Sequence, residues 1–132
     1  MLKPKIRGYE IHQIIGRGAG SKIYRATKKK TGQQMAVKHV TKSVILDRMV
    51  DFGEYVPHRD KPPRVDYQSF YNQLKLEFEV CSRLSKTPVA KFVPGVYDFR
   101  PVVNWCLLVI GHDLIMDYVP GESLRANRDY SI

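Results

Sequence analysis

Gly16-Arg17-Gly18-Ala19-Gly20-Ser21-Lys22-Ile23-Tyr24-Arg25-Ala26 decides the fold. Three glycines at alternate positions open the stretch, and polar and apolar residues alternate after Ser21. That alternation has the period of a β-strand. A dinucleotide-binding βαβ unit needs a helix at this point, with its N-terminus aimed at pyrophosphate. The sequence instead predicts a β-hairpin with glycines at its turn. Upstream, Tyr9 to Ile15 has apolar residues at 9, 11, 14 and 15 and supplies the incoming strand. Downstream, Lys28-Lys29-Lys30-Thr31-Gly32 reads as a solvated turn leading into a third strand, Gln34 to Val40. Three strands joined by short turns make an antiparallel meander.

Beyond the meander the pattern changes. Val44-Ile45-Leu46 and Met49-Val50 predict a short helix, and Pro57, Pro62 and Pro63 then mark an exposed excursion. Residues 69–85 form the clearest helix, with Ser69 as its expected cap. Phe70, Leu74, Glu77, Cys81 and Leu84 recur at spacings of four, three, four and three, so they share one face. Two strands complete the pattern. Val96–Phe99 continues into Val102–Ile110, and a turn at Gly111-His112-Asp113 leads into Leu114–Val119. The expected class is α+β: a five-stranded antiparallel sheet with one main helix and a long insertion, 41–66, between the third strand and that helix. Residues 1–8 are expected to be a basic tail, 9–124 the folded lobe and 125–132 a polar C-terminal tail.

Composition narrows the function classes. The chain has 132 residues, a net charge of +9, 43% hydrophobic and 27% charged residues. That is a globular balance with room for one domain or one lobe. A basic chain attracts nucleic acid, anionic membrane or phosphate-bearing ligands. The cations are dispersed, however, and no zinc spacing or RNA-binding aromatic motif accompanies them, so nucleic acid is not the expected partner. No apolar run approaches the roughly 20 residues that span a bilayer. No apolar stretch follows the basic Met1–Gly8, which makes a cytoplasmic location the expectation. Cys81 and Cys106 fall in apolar segments and read as buried reduced thiols. No metal site is expected.

Chemistry concentrates at four places. Glycines without Cβ let backbone N–H groups approach phosphate oxygens. Lys38 lies among apolar strand residues, where an ammonium is costly unless it meets an anion. Glu77 lies on the apolar helix face, where a carboxylate is equally out of place. The two oddities of opposite sign predict a pair. Finally, the strand Leu114–Val119 runs into Pro120-Gly121, exposing backbone groups able to read a base edge.

Taken in order, Gly16-x-Gly18-x-x-Ser21-x-Ile23, Ala36-x-Lys38, Glu77 with Val80, Cys81 and Leu84, and Ile115-Met116-Asp117-Tyr118-Val119 resemble the N-terminal lobe of eukaryotic-type protein kinases. The closing Asp-Tyr-Val-Pro-Gly-Glu-Ser-Leu is similar to bacterial serine/threonine kinases. The resemblance implies ATP as ligand. Lys38 would contact its α- and β-phosphates beneath Gly16, Gly18, Gly20 and Ser21, and Glu77 would hold Lys38. Ile23, Ala36 and Val119 would line the adenine pocket, with Met116 at its back. The backbone of Asp117 and Val119 would bond the adenine edge, with Ser123 or Glu122 near the ribose.

The chain departs from the family in three ways. Ser21 stands at the third glycine, Gly20 stands where an aromatic often caps the loop, and the 41–66 segment is about twice the family's usual connection. In the family the catalytic and magnesium-binding aspartates belong to a second lobe, and neither motif occurs in residues 120–132, so Mg²⁺ is expected only with that lobe. His58-Arg59-Asp60-Lys61 and Asp51-Phe52-Gly53 spell both motifs, but they precede the main helix and are coincidences of composition. A truncated kinase lobe with no activity of its own is the leading expectation. A non-catalytic module whose open sheet face takes a protein partner, and a lobe of a small-molecule kinase, are the alternatives.

Overall fold

The structure, a computed structural model, describes residues 3–18 and 20–118. Five strands form one antiparallel sheet in the order β1-β2-β3-β5-β4. They are β1 (Tyr9–Arg17), β2 (Lys22–Lys28), β3 (Gln34–Thr41), β4 (Val96–Val103) and β5 (Val109–Asp117). Two helices, α1 (Lys42–Asp51) and α2 (Tyr67–Leu84), lie between β3 and β4. The α+β class and the five-stranded antiparallel sheet agree with the sequence pattern.

The side-chain period of a strand sorts the sheet into two faces. Met35 and Val37 of β3 join Ile115, Ala26, Tyr9 and Ile6 in a core on one face. Val40 and Leu114 meet Ile45 and Leu74 from the helices in a second core on the other. Val37, Leu114 and Ile115 are fully buried and Met35 nearly so. Each such side chain contributes about 1.5–3 kcal/mol relative to exposure. The central strand β3 is therefore covered on both sides, and its register is firmly set.

Three expectations are corrected. The last hairpin turns at 104–108, not at Gly111-His112-Asp113, which lies within β5. The Asn104 side-chain oxygen accepts the N–H groups of Cys106 and Leu108 at 2.9 and 3.0 Å and closes the turn there. Gly111 serves a close approach instead of a bend. A Cβ on it would stand 2.6 Å from Thr41 Cγ2 and nearer still to the Val40 carbonyl oxygen. The main helix starts two residues before Ser69. Its N-cap is Asp66, which makes no capping bond, so Ser69 sits inside the first turn.

The short helix expected over 44–50 forms as α1, and its inner face is not exposed. The Thr41 hydroxyl caps α1 by accepting the Val44 N–H at 3.1 Å, and Val44, Ile45 and Tyr55 are buried. The thiols are not both buried. Cys106 is exposed at the hairpin tip and Cys81 is half-buried.

Candidate functional site

β3 and α2 converge on one small space. Lys38 pairs across the sheet with Ile23 of β2 and Leu114 of β5, which turns it toward the helix side with Val40. Leu74 anchors α2 there, and Glu77 follows three residues later on the same face. Lys38 Nζ donates to Glu77 Oε2 at 2.9 Å, with the side chains 26% and 32% exposed. One turn on, burial pushes the Cys81 thiol pKa up. The Glu77 carboxylate adds to that shift and the Lys38 ammonium opposes it.

The glycine-rich turn closes over this pair. Gly18 N–H donates to the Ser21 carbonyl at 3.0 Å, and Arg17 pairs with Lys22 where the strands meet. Ser21 is buried, and its Oγ fills the space that a side chain at Gly18 would need. Gly20 presses on α2. A Cβ there would stand 2.6 Å from Phe70 Cδ1 and closer to Cε1. An aromatic ring thus reaches the loop after all, from the helix instead of from the loop tip.

A cavity of about 140 Å³ remains beneath the turn, lined by Gly18, Gly20, Ser21, Lys38, Gln73 and Glu77, among others. Of the residues singled out in the sequence, these gather at one point, except Gln73. The sequence pattern marks Phe70 only as part of the helix's apolar face, and Gln73 escaped the sequence reading although it lies four residues before Glu77 and so shares its face. The other candidates lie apart from the cavity. Ile23 pairs with Lys38, and Ala36 pairs with Met116, so they continue along the same sheet face toward the end of β5.

Asp117 is committed to its own strand pair. Its carboxylate accepts the Gly95 N–H at 2.7 Å and a short bond from the Tyr97 hydroxyl. Its backbone N–H donates to the Gly95 carbonyl at 2.8 Å, so that N–H is not open to a base edge. The bond to Asp117 raises the Tyr97 hydroxyl pKa, and burial adds to the rise. Ala19, Val119, Glu122, Ser123 and the 125–132 tail lie outside the described residues. The two look-alike motifs are used locally. Asp60 pairs with Arg59 and accepts the Val56 N–H, while Asp51 ends α1.

No protein-family model matches the chain. Over 80 residues, 60% of the chain, it is 32% identical to the serine/threonine-protein kinase AtPK1/AtPK6 of Arabidopsis thaliana. The figures are the same for AtPK2/AtPK19 of that plant. Over that span the chain is kinase-like. The matched span covers 17% and 16% of these two relatives, so the chain accounts for less than a fifth of their length. A second polar cluster lies on the helix side of the sheet. Tyr67 shares a hydrogen bond of 2.7 Å with His112 Nδ1, and His112 stacks on Phe99. Burial pushes the Tyr67 hydroxyl up to about 12 and holds the His112 imidazole below its usual value, so the pair is neutral near pH 7. Among the described residues no group of His, Cys, Asp and Glu could hold a metal ion, and no helix is long and apolar enough to cross a membrane.

Proposed function

We propose that this chain is the nucleotide-holding lobe of a serine/threonine protein kinase. The observation that carries the reading is the 2.9 Å Lys38–Glu77 pair, strand to helix, beneath a glycine-rich turn. In phosphoryl transfer of this kind a β-strand lysine holds phosphate oxygens, and a helix glutamate fixes that lysine. The kinase-like span supports the same reading.

The residues present fit such a ligand in size and charge. About 140 Å³ admits a phosphoryl group but not a whole nucleotide, whose pocket needs several hundred Å³. The remainder of ATP would extend along Ile23, Ala36 and Met116, toward the end of β5 at Asp117. Bound ATP would supply the γ-phosphoryl group. Lys38 would neutralise phosphate charge, Glu77 would hold its rotamer, and Phe70 with Ser21 would exclude water beneath the turn. The aspartates that accept the substrate proton and hold Mg²⁺ would come from a second lobe.

Calorimetric titration of the 132-residue chain with Mg·ATP tests the reading. Binding is expected, weakened by about tenfold or more in Lys38→Met, the loss of one charge-assisted contact. No heat from the parent chain, or equal affinity in Lys38→Met, overturns the assignment.

A further inference from the structure

The β4–β5 hairpin presents side chains that the fold does not use. Trp105 is 92% exposed, Leu107 84% and Leu108 63%. The tip is nonetheless defined in shape. Asn104 accepts two N–H groups across it, and Leu107 is held at φ +63. Exposed apolar surface of several hundred Å² on a small protein marks an interaction site.

The surroundings of the tip say what it meets. No acidic residue occurs between Asp98 and Asp113. On one side, Val103 and Ile110 share an open recess with Lys3, Lys5, Arg7 and Lys29, where Glu10 is the acid. On the other, Val109 shares a recess with Lys42 and Arg64, where Asp66 is the acid. All six cations are exposed. The apolar tip therefore stands in a cationic collar. It is a projection, not a groove, and suits a soft surface better than a complementary protein pocket. It also lies at the far end of β5 from Asp117.

We propose that this hairpin docks on anionic phospholipid bilayers. Trp105, Leu107 and Leu108 enter the headgroup region, where tryptophan settles, while the collar meets lipid phosphates and carboxylates. Such docking is peripheral and spans nothing.

Trp105 is the chain's single tryptophan, so its emission reports the tip alone. The 132-residue protein is mixed with vesicles of phosphatidylcholine, or of phosphatidylcholine with phosphatidylserine. Emission is expected to move to shorter wavelength, and the protein to sediment, with the phosphatidylserine vesicles only. The double variant Leu107→Asp, Leu108→Asp is expected to bind about tenfold or more weakly. Lys3→Ala and Lys5→Ala are expected to lose about fivefold each, and added salt to mimic them. The two sets of variants act independently, and far-UV circular dichroism checks the fold of each. Unshifted emission with phosphatidylserine vesicles overturns the proposal. So does equal binding to both vesicle types, or a shift that appears without lipid as the protein dimerises.

Discussion

Removing one charge of the Lys38–Glu77 pair should lower stability modestly and nucleotide affinity strongly. The ammonium and carboxylate lie 2.9 Å apart and are 26% and 32% exposed. Fully exposed pairs contribute about 0.2–1 kcal/mol, and buried hydrogen bonds to charged groups about 1.5–3 kcal/mol. A pair open to water by about a third falls between, at about 1 kcal/mol. Glu77→Gln keeps the shape of the side chain and removes its charge; Lys38→Met keeps most of the volume. Each should lower the thermal midpoint by about 3–5 °C in a chain of this size. The double variant should lose less than the sum, with a coupling of about 1 kcal/mol. Nucleotide affinity should respond differently. A freed lysine must be reordered on binding, which costs up to about 1–2 kcal/mol of rotamer entropy. Glu77→Gln should therefore weaken Mg·ATP about five- to tenfold, and Lys38→Met more. The assays are thermal unfolding by circular dichroism and calorimetric titration of all four proteins. A coupling indistinguishable from zero would refute the structural pair. Unchanged affinity in Glu77→Gln beside lost affinity in Lys38→Met would refute the positioning role.

Three further outcomes test the fold around the site. Gly111→Ala should destabilise by about 3 kcal/mol in denaturant unfolding, because the new methyl meets the Val40 and Thr41 backbone, which cannot swing aside. Stability should fall as pH drops from about 6.5 through the lowered folded-state value of His112, because the unfolded chain takes up that proton first. His112→Gln, which keeps a partner for Tyr67, should flatten that slope in midpoint-against-pH measurements. Cys106 should be alkylated before Cys81, read by mass spectrometry, because Cys106 is exposed while burial raises the Cys81 pKa.

Local pattern carried much of this protein. Alternation after Ser21 was enough to exclude a helix after the glycines, and the 70-74-77-81-84 spacing set the inward face of α2, because both periods are properties of a single element. Lys38 and Glu77 stood out for a related reason. A charge at an apolar position is anomalous before any contact is known.

What required the tertiary structure was the meaning of residues whose environment comes from distant chain. Gly111 looked like a turn because glycine permits turns, yet β3 approaches so closely that only glycine fits within β5 there. The turn moved to Asn104, whose side chain holds two amides. The apolar run Trp105–Leu108 looked like a strand, yet it stands in solvent. Phe70 looked like core alone, yet its ring lies against Gly20 beneath the glycine-rich turn. Sequence thus determined which elements form and which charges are out of place. The fold decided which of them meet, because strand register and helix docking depend on contacts between residues far apart in the chain.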